Sequence, residues 1–209
     1  MKILILRFSS FGDILLATPV LDILKKNFPD SVIHWVVNKK FEEALNTNPL
    51  VDKLMIFKDN RGFGRLKKEI SETDYDLIFD LHINSKTRSL TNYRKNVFKY
   101  NKRVFDRFML VHFKKKYHEI LPVTRMYFSA LEKAGIETTS KWKLRFGLLK
   151  ETELATVDTY SLHNINYIVM VPGASYYTKM WPKEYFRDLV RRISASNINK
   201  KIIIVGKGR

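Results

Sequence analysis

Residues 2–20 read KILILRFSSFGDILLATPV, and this stretch decides the fold. The apolar run Lys2–Phe8 predicts a buried strand, and Ser9–Gly12 predicts a turn. Asp13–Phe28 then repeats apolar residues at the spacing of one helix face. Pro19 within it predicts either a kink or a restart of the helix with Thr18 as N-cap. A buried strand that leads through a short turn into an amphipathic helix is typical of a parallel α/β sheet.

The same alternation continues along the chain. Further strands are predicted over 31–37, 53–57, 76–81 and 141–146, with helices over 39–46, 65–73, 102–112 and 118–134. This pattern predicts an α/β class protein with a doubly wound parallel sheet in a first domain over residues 1–165. A new strand–helix–strand pattern starts at Tyr167 and predicts the beginning of a second domain over 166–209, which is incomplete because two strands cannot close such a sheet.

Composition excludes several classes of function. The 209 residues contain no cysteine, so disulfides, cysteine-ligated zinc and thiol nucleophiles are ruled out, and a reducing, cytoplasmic location is expected. The five histidines do not have metal-ligand spacing on a common helix face. We therefore predict no metal and no cofactor. No apolar run approaches the roughly 18 residues that a membrane-spanning helix needs.

The excess positive charge is local. Residues 86–150 carry 17 basic and 4 acidic side chains, whereas residues 1–85 carry 12 of each. Aromatic residues interleaved with the basic ones would suit stacking on nucleic-acid bases, but no nucleic-acid-binding motif is present. An anionic ligand anchored in a membrane explains the charge equally well. We predict no nucleic-acid partner and only a peripheral contact with a membrane surface.

Asp13 stands at the predicted start of the first helix. One possible role for a carboxylate there is that of a helix cap and nothing more, because the free backbone amides at the start of a helix favour a negative charge. The same position follows the first strand, where open α/β sheets place their ligands, so Asp13 can instead be a general base. Its position alone leaves both roles open.

Residues 172–182 read PGASYYTKMWP and predict a second strand-to-helix loop. Ser175, Lys179 and the free amides at the start of the helix would surround an anion such as a diphosphate. An ordinary loop with a solvated lysine is the alternative.

Together these motifs resemble glycosyltransferase family 9, the lipopolysaccharide heptosyltransferases. The resemblance is carried by ILRFSSFGDILLATPV at 5–20, DLIFDLHINSKTR at 76–88, ALEKAGI at 130–136, PGAS at 172–175 and KMWPKEYF at 179–186. The opening and closing motifs, in this order, are specific to the family.

The resemblance implies a GT-B arrangement of two Rossmann-like domains, with the acceptor in the first and the nucleotide-sugar donor in the second. It implies inverting, metal-independent transfer of a heptose or related sugar from ADP-heptose to an anionic lipopolysaccharide core or other lipid-linked acceptor. The predicted site residues are then the general base Asp13; the donor-binding Ser9, Ser10, Gly12, Ser175 and Lys179; and the acceptor-binding Lys86 and Arg88.

The chain departs from the family pattern in two places. Ile83 stands where the family usually has glycine, in the loop expected to face the acceptor. The family's donor domain also continues for more than a hundred residues beyond the point that corresponds to Arg209. We therefore expect negligible transferase activity from these 209 residues alone, and a catalytically inactive module that binds anionic glycolipid or a partner chain is the alternative function.

Overall fold

The computed structural model describes residues 1–114, 119, 121–146, 150–174, 176–196 and 200–206. The chain separates into two compact units, Met1–Leu148 and Leu149–Arg209.

The first unit alternates strands and helices, as the sequence predicts. Its elements are β1 (Lys2–Leu6), α1 (Phe11–Ala17), α2 (Pro19–Asn27), β2 (Val32–Asn38), a 3₁₀ helix (Lys39–Ala44), β3 (Lys53–Phe57), α3 (Asn60–Glu72), β4 (Leu77–Asp80), α4 (Ser85–Thr91), β5 (Val97–Lys99), α5 (Val104–Phe113) and α6 (Val123–Lys133).

The five strands form one parallel sheet in the order β3-β2-β1-β4-β5. The chain therefore builds outward from β1 to β3 and then returns to the other side of β1 with β4. This reversal makes the sheet doubly wound and confirms the predicted class. The crevice at the carboxyl ends of β1 and β4 is the place where such sheets bind ligands.

Strand β1 shows why the opening run is continuously apolar. Ile3 and Ile5 pack into the core on one face of the sheet, whereas Leu4 and Leu6 pack into the core on the other. All four side chains are fully buried. A strand covered on both faces needs apolar residues at every position rather than at alternate ones.

The predicted restart at Pro19 is confirmed. Helix α1 ends at Ala17, and α2 begins at Pro19 with Thr18 as its N-cap. Pro19 lacks a backbone N–H and would break a continuous helix, but the first turn of a new helix does not need that donor.

The predicted strand over 141–146 is wrong. This segment is held against α2 by side chains instead: the Arg145 guanidinium lies 2.7 Å from the Asp22 carboxylate, and the Arg145 backbone N–H donates to the Thr18 hydroxyl at 2.9 Å. Trp142 packs edge-on against Phe128 with 5.7 Å between ring centroids. The alternating charged and apolar residues of this segment thus contact helix surfaces and do not pair with the edge of a sheet.

The second unit contains α7 (Lys150–Thr159), β6 (Tyr167–Met170), a 3₁₀ helix (Tyr177–Lys179), α8 (Lys183–Ala195) and β7 (Lys201–Ile204). Strands β6 and β7 pair in parallel, which gives one β–α–β crossover. Helix α7 groups with this unit, whereas the sequence placed the division after residue 165. The assignment of 1–165 and 166–209 to two functional domains stays a prediction.

Throughout the described part of the chain, every helix is too short or too polar to cross a lipid bilayer.

Candidate functional site

A pocket of about 820 Å³ lies in the first unit, at the carboxyl ends of the central strands. The loops after β1, β4 and β5 contribute to it, and α5 and α6 form its further walls. It is lined by Arg7, Ser9, Ser10, Asp13, His82, Ile83, Asn84, Tyr100, Lys102, Arg103, Asp106, Leu110, Glu119, Leu121, Val123, Met126 and Tyr127. The fold therefore places Asp13 at the ligand-binding crevice of the sheet.

Arg7 ties together the two strands on either side of this crevice. It directly follows β1, and only 7% of its surface is exposed. Its Nη1 donates to the Leu81 carbonyl at 2.7 Å, just past the end of β4, and its Nη2 lies 2.7 Å from Oδ2 of Asp13. The guanidinium also lies 5.5 Å from the centre of the Tyr127 ring. The buried Arg7 guanidinium thus holds the floor of the pocket together and fixes the position of the Asp13 carboxylate.

The Asp13 carboxylate is held through one of its two oxygens. Oδ2 accepts from the Ser10 hydroxyl at 2.8 Å and from the Ser10 backbone N–H at 3.3 Å, in addition to the contact with Arg7. Within the described part of the chain, Oδ1 has no hydrogen-bond partner. The side chain is 38% exposed. Asp13 is therefore both a helix cap and a carboxylate with one oxygen available to a ligand.

The environment keeps Asp13 ionised. Partial burial acts to raise the pKa of this carboxyl, but the hydrogen bonds from Ser10 and the charge of Arg7 outweigh it, so the pKa lies below its ordinary value of 3.8. A group must be unprotonated to accept a proton, and Asp13 meets that condition throughout the neutral range.

The turn after β4 is shaped by Asp80. This buried carboxylate accepts from the backbone N–H groups of His82 and Ile83 at 3.0 and 2.7 Å. Ile83 adopts a left-handed backbone conformation with a φ of 52°. A β-branched side chain is strained in that region, whereas glycine occupies it freely. The unusual Ile83 therefore stands at a position whose backbone favours glycine.

His82 and two tyrosines form an uncharged wall of the pocket. Burial, together with the charge of Arg7, lowers the pKa of His82 from 6.5 to about 4, so the imidazole is neutral near pH 7. Its Nδ1 is buried without a hydrogen-bond partner among the described residues. Burial raises the pKa of Tyr100 and of Tyr127, so both phenols stay protonated.

The structure brings together only some of the predicted site residues. Ser9 and Ser10 line the pocket with Asp13. Gly12 is not among the residues that line the pocket; it lies in the first turn of α1 without a positive φ, and a Cβ there would meet open space. Its role in donor binding stays a prediction.

Lys86 and Arg88 do not line this pocket. The Lys86 ammonium lies over the rings of Phe57 and Phe63, at 5.6 and 5.3 Å from their centres. Arg88 lines a separate basic groove that also includes Lys99. In the described part of the chain, the lysines and arginines that line the Asp13 pocket are Arg7, Lys102 and Arg103.

The second predicted loop lies in the second unit. Lys179 ends the 3₁₀ helix, is exposed, and has its Nζ 5.5 Å from the centre of the Tyr176 ring. Ser175 lies outside the described residues. The neighbouring pocket of about 600 Å³ is largely apolar, with Met180, Trp181 and Phe186 in its wall.

The sequence did not predict Arg7, His82 or Tyr127 as site residues, and it indicated Lys102, Arg103 and Tyr100 only as members of the basic, aromatic-rich segment. Arg7 carried a usable signal, because a charge at the end of a fully buried strand must find a partner. Among the residues that the structure describes, no three histidine, aspartate or glutamate side chains are grouped closely enough to hold a metal.

Comparison with solved structures supports the fold. The glycosyl transferase family 9 protein from Veillonella parvula DSM 2008 is 24% identical and superimposes with a TM-score of 0.76, covering 98% of this chain and 62% of that one. The E. coli heptosyltransferase WaaC with ADP is 18% identical with a TM-score of 0.66, covering 100% and 68%. The E. coli ADP-heptose lps heptosyltransferase II is 18% identical with a TM-score of 0.70, covering 100% and 65%.

Two curated relatives are named lipopolysaccharide heptosyltransferase 1. The one from Pseudomonas aeruginosa is 25% identical over 217 aligned positions, covering 92% of this chain and 58% of the relative. The one from Campylobacter coli is 40% identical over 85 residues, covering 39% of this chain and 25% of the relative. The chain thus spans between a quarter and three fifths of these relatives.

A sequence model of one family matches residues 63–206, which is more than half of the chain, and that family is described as glycosyltransferase family 9 (heptosyltransferase). The motifs, the doubly wound sheet and this match agree, and the chain belongs to glycosyltransferase family 9.

Proposed function

We propose that this chain takes part in the transfer of a heptose, or a related sugar, from ADP-heptose to an anionic lipopolysaccharide core acceptor, with Asp13 as the general base. The observation that carries the proposal is the Asp13 carboxylate, held by Arg7 and Ser10 through Oδ2 in a pocket at the switch point of the sheet.

The proposed reaction is an inverting displacement. A hydroxyl oxygen of the acceptor forms a bond to the anomeric carbon of the heptose as the bond from that carbon to the diphosphate oxygen breaks. The electron pair of the broken bond leaves with ADP, and the proton of the hydroxyl passes to Asp13. Oδ1, which has no partner in the described part of the chain, is the oxygen that we propose accepts it.

Arg7 and Ser10 would act as positioning residues in this reaction. They orient the carboxylate and keep it ionised, at the cost of a lower pKa and hence a weaker base. A weak base is sufficient here, because the acceptor hydroxyl becomes strongly acidic as its oxygen bonds to the anomeric carbon.

The donor is proposed to be bound by Lys179 and Ser175, which would contact the diphosphate, and by the loop residues Ser9, Ser10 and Gly12. A lysine and free backbone amides can stabilise the negative charge that develops on the departing diphosphate. Under this proposal, positive charges of the protein itself, rather than a metal ion, stabilise the leaving diphosphate.

The acceptor is proposed to be phosphorylated or otherwise anionic and linked to lipid, reached from the cytoplasmic side of the membrane. Lys102 and Arg103 line the Asp13 pocket and supply positive charge there. Lys86 and Arg88, outside the pocket, remain candidates only for more distant parts of a large acceptor.

The test compares Asp13→Asn with Asp30→Asn, a control that removes an exposed carboxylate that does not line the pocket. Acceptor affinity is measured on the 209-residue chain. Transfer is measured on the same chain extended beyond Arg209 with the part of the Pseudomonas aeruginosa relative that follows the matched region. We expect Asp13→Asn to keep acceptor affinity within about twofold and to lose roughly 10²–10⁴-fold in rate, the usual contribution of a general base.

A module without transferase activity, binding anionic glycolipid or a partner chain, is the second candidate. The observation that favours it is the local excess of positive charge, 17 basic against 4 acidic side chains over residues 86–150, which suits an anionic partner whether or not sugar is transferred. In that case Asp13→Asn changes neither affinity nor rate, because no proton transfer depends on the carboxylate. A full transfer rate in Asp13→Asn would eliminate Asp13 as the base.

A further inference from the structure

Helix α5 exposes apolar side chains to an unusual degree. Val104 is 67% exposed, Phe108 49% and Val111 63%. A soluble helix normally turns such side chains towards a core and its polar side chains towards water. Large exposed apolar patches of this kind mark interaction surfaces.

The two faces of α5 have different surroundings. Asp106 and Leu110, one turn apart, line the Asp13 pocket. Val104, Phe108 and Val111 follow the spacing i, i+4, i+7 and so share the opposite face. We call these three residues the outer face of α5. The helix therefore forms a wall of the pocket on one side and presents an apolar face on the other.

The segment around this helix is strongly basic. Residues 102–116 contain six lysines and arginines and one aspartate. Lys102 and Arg103, at the start of the helix, line the Asp13 pocket, and Lys114 is the C-cap of the helix. Lysines and arginines beside an apolar helix face are typical of helices that lie in the interface of an anionic bilayer.

We propose that α5 lies in the plane of an anionic membrane surface, with its outer face inserted among the lipid chains. The helix has ten residues and is too short to span a bilayer, so it lies on the membrane rather than across it. Insertion holds α5, which is one wall of the Asp13 pocket, at the membrane surface. The consequence for substrate, which rests on the proposed function, is that the pocket lies within about one helix diameter of the bilayer that carries a lipid-linked acceptor.

The charge distribution favours lipid over a second copy of this chain. Two copies paired through the outer face would bring two basic segments together, and like charges at an interface oppose association. Nucleic acid would satisfy the charge but would leave the apolar outer face in water.

The experiment measures binding of the 209-residue chain to sedimented vesicles. One set contains phosphatidylcholine alone, and the other contains phosphatidylcholine with about a third phosphatidylglycerol. The variant Phe108→Ser/Val111→Ser removes apolar area without changing charge. Tyr93→Ser is the matched control, because Tyr93 is 97% exposed and lies in the first unit outside α5. Circular dichroism and thermal unfolding verify that each variant is folded.

We expect the wild-type chain to bind the anionic vesicles at least tenfold more tightly than the neutral ones. The double variant should bind the anionic vesicles at least tenfold more weakly than wild type, and Tyr93→Ser should bind within twofold of it. If the double variant destabilises the fold, Phe108→Trp supplies the readout: its added fluorescence should be quenched by brominated lipid chains.

Three results would overturn the proposal. The first is equal vesicle binding by wild type and the double variant, and the second is the absence of quenching in Phe108→Trp. The third is a concentration-dependent dimer, seen by analytical ultracentrifugation, that the double variant abolishes while vesicles are not bound. Asp13→Asn should bind vesicles normally, so a failure of the proposed chemistry leaves this measurement unaffected.

Discussion

The loops that follow β1 and β6 have the same place in a strand–loop–helix unit but different support. Each leads from a parallel strand into a helix and carries polar residues for a ligand. The loop after β1 is bonded to neighbouring strands: Arg7 donates to the Leu81 carbonyl, and the Asn38 N–H donates to the Phe8 carbonyl at 3.1 Å. In the described part of 171–182, the hydrogen bonds are local, such as that from the Lys179 N–H to the Tyr176 carbonyl.

This difference teaches that a local pattern is enough to form a strand, a turn and a helix, but not to hold a functional group in place. Asp13 is fixed because β1 lies between two other strands and its loop can bond to both. Lys179 follows a strand that pairs with β7 alone in the described chain. Substitutions in the two units should therefore have unequal effects.

Truncating an isoleucine should have very different costs in the two units. Ile5→Ala in β1 removes a fully buried side chain and should lower the free energy of unfolding by about 3–4 kcal/mol. Ile203→Ala in β7 affects a partly exposed side chain and should cost about 1 kcal/mol. Urea unfolding followed by circular dichroism measures both. Equal losses would show that the second unit is packed as tightly as the first.

Replacing Arg7 should loosen the first loop. Arg7→Met leaves the buried Leu81 carbonyl without its donor and should cost about 2–3 kcal/mol of unfolding free energy. The pKa of Asp13 should rise, because the nearby positive charge is gone. Urea unfolding and an NMR titration of the Asp13 carboxyl measure the two effects. Arg88→Met is the control and should change stability by less than about 0.5 kcal/mol. An unchanged Asp13 titration would remove Arg7 from its positioning role.

Position 83 should prefer glycine to alanine. At a φ of 52°, Ile83→Gly relieves backbone strain that Ile83→Ala retains, so the glycine variant should be more stable by about 1 kcal/mol. Lys86, exposed in α4, is the matched control. There the alanine variant should be more stable than the glycine variant by about 1 kcal/mol, because alanine has the higher helix propensity. Thermal unfolding of the four variants gives both differences. The same order at both positions would contradict the strain at Ile83.

Asp13→Asn should produce a small, pH-dependent loss of stability. Because the folded state lowers the pKa of Asp13, its contribution is fully present above the ordinary value of 3.8 and disappears as pH falls through the folded pKa. The loss at pH 7 should stay below about 1 kcal/mol, since the carboxylate is partly solvent-exposed. Unfolding of wild type and variant is compared between pH 7 and pH 2. A difference that persists at the lowest pH would mean that the carboxylate's charge is not what stabilises the loop.

Much of the first unit was predictable because its strands are long apolar runs and its helices are amphipathic. Strand β5 was missed because it has three residues and only two of them are apolar, too few for a period to show. The pattern over 141–146 was misread because alternation does not reveal whether a segment pairs with a strand or packs on a helix.

The candidate site was predictable only in part. Asp13 stands out in the sequence because an acidic residue follows an apolar strand and a short turn. His82, Lys102 and Tyr127 come from three different segments and have no spacing that links them to Asp13. They share one pocket only because parallel strands end at the same edge of the sheet.

The order of residues along the chain determined the strands, the helices, the break at Pro19 and the polar loops, since each depends on interactions between near neighbours. Tertiary structure alone decided which strand end anchors Arg7, which cations reach the pocket and which helix is left with an apolar face in water. Those features depend on groups far apart in sequence, such as Arg7 and Leu81, and distances across a fold are set by packing rather than by any local pattern.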